Sequence, residues 1–509
     1  MFVNSSAINH DTPIESETQE ISSKIEAIER EPVQNNPGQP ELEVNSQLAT
    51  MKLELEEALK EIEDVLNNNE SIQNGGELEA LEKEIVRKTD RLAGLLIGYK
   101  VQQSADSEAL KDASRTFIDS CPKTLKNQGK REINIQPLRG EEVSIKVSYF
   151  SQKGKKDNRK KKRRGVYPAL ILLGIYDHYT PGIASAISLM ATVTSSYEEA
   201  RQLLQERGYD VDMKTIRSIS ISYAQRARAA LLSQEGDFPE SVSGRKVVVS
   251  TDGGRVRIRK NKKGRKTKKG RRHYHTNWRE PKLLIIYIVD EHGHLENTFS
   301  PFIDGTLKGP DAIFWLLNYY LSKLNIGKSD SVLFVADGAR WIWNRVATLM
   351  SSLGLVPGHY YELVDFYHAV EHLGKVVNLQ KGWKSSQKKS WVTKYRRLLL
   401  TGKIEDVITE IRRLCRGTRS KKLRTERDYF CRNRDRMTYA EIRQKGLPIG
   451  SGAIESVIRR VVNQKLKGAS IYWLRENVEA MLLLRSYFKA GRWNMLKQLT
   501  FSALLPDII

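Results

Sequence analysis

Little in this sequence of 509 residues could cross-link it or anchor it in a bilayer. It has three cysteines, Cys121, Cys415 and Cys431, too few and too scattered for a disulfide framework or a CxxC metal knuckle. No apolar run reaches the roughly 18 residues that a membrane span needs. The longest are Val166 to Tyr176 (VYPALILLGIY) and Leu283 to Val289 (LLIIYIV). The first thirty residues lack a basic segment leading into an apolar core, the pattern of a secretory signal. These absences predict a soluble, cytoplasmic protein.

Positive charge is abundant. The chain holds 84 Lys and Arg against 61 Asp and Glu, a net charge of +23. Residues 1–100 run the other way, with 9 basic and 21 acidic side chains, which leaves 75 against 40 on the rest. Such an excess calls for a polyanion partner, so the expectation is double-stranded DNA and a nucleoid-associated location. The length exceeds what a single hydrophobic core fills and predicts a central domain with appendages.

Residues 1–45, poor in aromatics and rich in Glu, Ser, Asn, Pro and Gln, read as a disordered tail. Over 46–100, Leu55, Leu59, Ile62 and Leu66, then Leu78, Leu81, Ile85, Leu92 and Leu95, mark two amphipathic helices around NNNESIQNGG. They pair as a helical hairpin or mediate dimerisation as a coiled coil. Over 105–165, REINIQP and EEVSIKVSYF predict a β-hairpin, followed by KGKKDNRKKKRRG. In that run Arg159, Lys160, Lys161, Lys162, Arg163 and Arg164 are candidate phosphate contacts. Over 166–240, helices on either side of Gly208 have the order of a helix-turn-helix.

The chemistry-bearing signals begin at Arg245. Lys246 to Ser250 (KVVVS) reads as a strand ending on Asp252-Gly253, and Val332 to Ala336 (VLFVA) as another ending on Asp337-Gly338. Between them, RVRIRKNKKGRKTKKGRRHYHTNWREPK is too long and basic for a tight turn. It reads as a loop in which Arg255, Arg257, Lys262, Lys263, Arg265, Arg271 and Arg272 face phosphate, with His273 and His275 solvated or phosphate-facing. Further on, Leu447 to Trp473 predicts a glycine-rich turn opening into a long amphipathic helix with Glu455 near its start. Two strand-end aspartates and a helix-borne glutamate are the donors that a pair of hard divalent cations requires for phosphodiester cleavage. Two bland readings compete: Asp365 as a plain N-cap beside a packed His368, and Glu455 paired with Arg459 one turn on.

The segments STDGGRVR, NWREPK, ADGARWIW, VDFYHAVEHL and LPIGSGAIESVIRRVVNQKLKGASIYWLRENVEAMLLLRSYFKAGRW together resemble the DDE transposases of bacterial insertion sequences, nearest the ISKra group and akin to Mutator-like elements. That resemblance covers residues from about Lys246 to Trp493. It implies an α/β fold: an RNase H-like mixed sheet related to retroviral integrases, flanked by helices, with an N-terminal helical and β DNA-binding region. The core would run over 241–375 and 447–509, with an all-α insertion at 376–446. It implies Asp252, Asp337 and Glu455 as catalytic metal ligands for two Mg²⁺ or Mn²⁺ ions, with Asp365 and His368 assisting as the family's DxxH motif.

The spacing is compatible, with 85 positions from Asp252 to Asp337 and 118 from there to Glu455. The resemblance also implies action on element ends and target DNA by a homo-oligomer. In one respect the chain departs from it. Relatives often place a zinc ribbon at the N-terminal hairpin, where this chain has Cys121 alone, so that hairpin is expected to be metal-free. The competing functions are an RNase H-like nuclease or resolvase and a domesticated, non-catalytic DNA-binding protein.

Overall fold

The computed structural model describes residues 44–68, 71–151, 165–233, 238, 240–268, 270, 272–417, 419–468 and 471–502. Nearly all of the expected tail, the basic run from Arg159 to Arg164, and Arg271 lie outside the described residues.

Helices α1 (Val44–Asn67) and α2 (Gly75–Asp106) pack together as a hairpin. Asn74 starts the second, its side chain accepting from the Gly76 and Glu77 amides. Helix α3 (Glu108–Asp119) leads to the antiparallel strands β1 (Lys126–Ile135) and β2 (Val143–Ser151), to which β3 (Gly165–Val166) adds a short third strand. The alternation of Val143, Ile145 and Val147 puts all three on one face, where they are buried with Met51, Ile135, Leu170 and Ile175 in a small core.

Helices α4 (Pro168–Leu172), α5 (Pro181–Val193), α6 (Tyr197–Gln205) and α7 (Met213–Leu232) follow. The last two are the pair expected around Gly208. Tyr223, Ala227, Ala230 and Leu231 of α7 are fully buried, packed against α5 and the C-terminal helices α16 (Arg475–Lys489) and α17 (Trp493–Ser502). Most of α7 is therefore a core helix, with Met213 and Lys214 exposed at its start.

Five strands form the central sheet: β4 (Lys246–Gly253), β7 (Lys282–Val289), β8 (Phe302–Thr306), β9 (Ser331–Ala336) and β10 (Tyr360–Val364), in the order β10-β9-β4-β7-β8. The first strand is central. On one side β7 runs antiparallel to it and β8 antiparallel to β7, and on the other β9 and β10 run parallel to it. All eight residues of β7 are buried, so both faces of the sheet are covered. Helices α8 (Pro310–Lys323) and α9 (Arg340–Ser352) make the crossovers to β9 and β10. Helix α10 (Phe366–Asn378) follows β10, and α11 (Ser385–Leu400), α12 (Ile404–Cys415), α13 (Lys421–Asn433) and α14 (Tyr439–Gln444) then fall in the stretch expected as a helical insertion.

Two expectations are corrected. The basic segment after Asp252 is not a loop but an antiparallel ribbon, β5 (Val256–Lys266) paired with β6 (Arg272–Arg279). Val256, Ile258 and the aromatics of β6 alternate at strand period, a signal that the lysines and arginines between them obscure. The long helix over 447–473 is instead six α-helical residues, α15 (Gly452–Val457), widening into a π-helical turn over Ile458–Asn463. The buried Arg485 side chain occupies carbonyls there, bonding Val461 O at 3.0 Å and Arg460 O, and Trp473 pairs with the ribbon instead. Among the described residues no helix is long and apolar enough to cross a membrane.

Helix α7 is fastened to the sheet by charge. Arg228 makes two hydrogen bonds of 2.7 Å to the fully buried Asp304 of β8, which also accepts from Tyr320 Oη at 2.8 Å. Removing one member strands the other charge without water, so Arg228→Met should destabilise the fold by about 3–5 kcal/mol. Urea unfolding of Arg228→Met and of the double variant Arg228→Met/Asp304→Leu checks this. The double variant should be the more stable of the two.

Candidate active site

Because β4 and β9 are parallel neighbours, their C-terminal ends emerge at the same end of the sheet, and each turns away through an Asp-Gly pair. Asp252 Oδ1 accepts from the Gly253 amide at 2.5 Å, and Asp337 Oδ1 from the Ala339 amide at 3.0 Å. Trp343 Nε1 donates to Asp337 O at 2.6 Å and fixes the second turn. A Cβ on Gly338 would lie 2.2 Å from the Tyr429 ring, so glycine here lets the insertion close onto that turn. Burial pushes the Asp252 carboxyl up to about 6. The Gly253 amide opposes that rise and the charge of Asp337 adds to it.

The third carboxylate is brought in by the segment after β10. Asp365 is fully buried at the start of α10. Its Oδ1 accepts from the His368 amide at 2.7 Å as an N-cap, while its Oδ2 accepts from the amide of Ser451, 86 positions away in sequence. Phe366 N bonds Ile449 O at 3.0 Å beside it. A Cβ on Gly450 would fall 2.7 Å from the Tyr367 ring, so the close approach of the two segments also needs glycine. Asp365 thus caps one helix and holds the turn that starts α15, whose first turn carries Glu455.

His368 Nδ1 lies 3.3 Å from Asp365 Oδ1 and 3.9 Å from Glu455 Oε1, ion-pair distances without hydrogen-bond geometry. Among the described residues Glu455 pairs with His368 and not with Arg459. Asp365 beside it raises the imidazole to about 9, burial notwithstanding. Burial also works on Asp365, pushing it up, but the hydrogen bonds from His368 and Ser451 outweigh this and hold it at about 2.

Among the described residues, Asp365, His368 and Glu455 are the one group of three whose ligand atoms all lie within 4.8 Å of one another. It is a poor cation site, because both Asp365 oxygens are occupied by amides and His368 is held protonated. Asp252, Asp337 and Glu455 do not form such a group. Glu455 lies against the His368 imidazole instead. Their chemistry nonetheless fits hard divalent ions. Among the described residues no Lys or Arg ion pair reaches any of the three, and the second oxygens of Asp252 and Asp337 and both of Glu455 accept no hydrogen bond.

Asp337 and His368 share a cleft of about 440 Å³ with residues that the sequence reading did not single out: His372, Thr425, Asp428, Tyr429 and Arg432. His372 stacks on Tyr429 with centroids 3.6 Å apart and meets Glu426 at 2.5 Å. Only His372 could have been found beforehand, from its place one helical turn after His368. The other four come from the helical insertion, which has no local motif.

Of the candidate phosphate contacts, Arg255, Lys262, Lys263, Arg265 and Arg272 are exposed on or beside the ribbon, as are His273 and His275. Arg257 is half-buried and donates to Gly468 O at 3.2 Å, so part of its guanidinium serves the fold.

Comparisons with protein-family models, curated proteins and solved structures find no match to this chain.

The clasp has a pH signature. Asp365, lowered from its ordinary 3.8 to about 2, contributes stability above pH 3.8 that is lost as pH falls through 2. His368, raised from 6.5 to about 9, contributes stability below pH 6.5 that is lost as pH rises through 9. Thermal melts of the wild type should therefore lose stability on both flanks. Asp365→Asn should flatten the alkaline flank and cost roughly 2–4 kcal/mol at pH 6. An unchanged alkaline flank in that variant would show that the imidazolium is held by something else.

Proposed function

We propose that the chain is a DDE transposase with an RNase H-like core, cutting DNA strands and joining them through Asp252, Asp337 and Glu455. The observation that carries this is the delivery of two strand-end aspartates from adjacent parallel strands and one helix-borne glutamate to a single end of the sheet, around His368. The strand order, with the first strand central, an antiparallel meander through β7 and β8 on one side and two parallel strands on the other, supports the RNase H-like reading.

Asp252, Asp337 and Glu455 would hold two Mg²⁺ or Mn²⁺ ions. When bound, such ions activate the attacking oxygen, water first and then a 3′-hydroxyl, and stabilise the leaving one. Asp365 keeps the Glu455 turn in place through the Ser451 amide. His368, protonated at neutral pH, offsets the carboxylate charge and can donate a hydrogen bond to a phosphate oxygen. Tyr429 and His372 wall the cleft on the insertion side. The exposed ribbon lysines and arginines would hold the DNA backbone, and a homo-oligomer would bring two element ends together.

The test is a supercoiled plasmid carrying the DNA that flanks the coding sequence, incubated with Mg²⁺. Wild type should cut and join strands. Asp252→Asn, Asp337→Asn and Glu455→Gln should each reduce cleavage by at least about a thousandfold while binding persists. Cutting without joining would favour the nuclease or resolvase reading, and binding without either the domesticated one. Because burial of the Asp252 charge is costly above pH 6, Asp252→Asn should also raise the melting temperature at pH 7, and that gain should vanish towards pH 4.

The ribbon's charge is tested separately. Replacing Lys262, Lys263, Arg265 and Arg272 with glutamine should flatten the log–log salt dependence of duplex binding by about 0.9 for each phosphate that is no longer neutralised. An unchanged slope would make them solvated side chains.

A further inference from the structure

The ribbon carries aromatic rings as well as charge. Arg257, Arg259 and Asn261 of β5 stand opposite Trp278, Thr276 and Tyr274 of β6, so these six share one face of the ribbon. Trp278 is 55% exposed and Tyr274 42%. Single exposed rings are ordinary, but these belong to an ordered array. The Arg257 guanidinium lies 5.1 Å from the Trp278 centroid and 5.3 Å from that of Tyr472, Arg259 lies 6.0 Å from Tyr274, and Tyr274 and Tyr472 are 5.7 Å apart.

The array stands beside the candidate active site. β5 starts four positions after Asp252, and β6 returns through Glu280-Pro281 to β7. The base of the ribbon is tied to the segment that follows the Glu455 helix, with Arg259 N bonding Trp473 O at 2.9 Å and Trp473 N bonding Arg257 O at 3.1 Å. At that junction Arg259 Nε and Trp473 Nε1 are shielded from water with no acceptor among the described residues.

Lysines alone would serve to grip a duplex, whose bases hide their faces within the stack and present phosphate outward. Exposed rings interleaved with guanidinium groups gain from a base whose face is free. We propose that this face of the ribbon binds unpaired nucleotides of DNA beside the cleavage site, with bases stacking on Trp278 and Tyr274 and phosphates held by the neighbouring basic side chains. Trp278 and Tyr274 are four residues apart, roughly 13 Å along a strand, so they take separate nucleotides. The proposal rests on the strand-cleaving reading for the identity of the nucleic acid, and on the ribbon itself for the preference for unpaired bases.

The experiment uses the full chain in EDTA, which separates binding from cleavage. The probes are a duplex with a single-stranded 3′ tail containing 2-aminopurine and a blunt duplex of the same length. Wild type should bind the tailed probe more tightly and quench the 2-aminopurine. Trp278→Ala and Tyr274→Ala should each weaken tailed binding about tenfold and leave blunt binding within about twofold, while Trp278→Phe and Tyr274→Phe retain most of the preference. Both side chains are solvent-exposed, so melting temperatures should hold. Absence of quenching by wild type, or equal losses on both probes, overturns the proposal. Discrimination between the probes by a protein that never cuts with Mg²⁺ would leave this inference standing and remove the catalytic reading. Cutting without discrimination would do the reverse.

Discussion

Everything at the candidate active site depends on where one buried carboxylate sends its two oxygens. Asp365 accepts from the His368 amide on its own helix and from the Ser451 amide across the helical insertion. A carboxylate with no exposed surface is tolerated only when donors fill it, and here the donors belong to two segments that would otherwise be free to separate. The same carboxylate, 3.3 Å from the His368 ring, favours its charged form, and Glu455 lies 3.9 Å from that ring. Asp365 is thus a positioning residue, joining the sheet that carries the aspartates to the helix that carries the glutamate.

A similar logic holds the outer helices to the sheet. Arg228 on α7 meets Asp304 on β8, and Arg485 and Lys465 extend their charges to backbone carbonyls at the end of α5. Burial lowers both of these cations, Arg485 to about 10 and Lys465 to about 8; the Arg485 charge presses Lys465 down further, and Glu199 opposes this only in part. These contacts draw α5 and α7 into the same hydrophobic core as the sheet and the C-terminal helices. They also account for the early end of the Glu455 helix, whose carbonyls bond to Arg485 rather than to a further helical turn.

The site itself is arranged at a cost to the fold. Asp252 is sufficiently buried to resist ionisation, and Gly338 and Gly450 forgo side chains so that Tyr429 and Tyr367 can approach. On the proposed reading this is the conflict expected at a functional site, where local stability gives way to chemical need. The insertion takes part in this directly, since α13 supplies one wall of the cleft.

Local patterns in the sequence were sufficient to determine the strands leading to Asp252 and Asp337, the two N-terminal helices though not their pairing, the β-hairpin after them and the helical character of the stretch before Glu455. In each, periodicity, β-branched runs or turn residues agree with the final structure. The basic ribbon was misread because charge masked its alternation, and the helix after Gly450 was overextended because its apolar spacing continues past the point where Arg485 takes its carbonyls. Only the tertiary structure decided that Asp365 binds Ser451, that Glu455 faces His368 instead of Arg459, that α7 is buried and that Tyr429 closes on Gly338. These are contacts between segments tens to hundreds of positions apart, selected by the packing of the whole core, and no local periodicity records them.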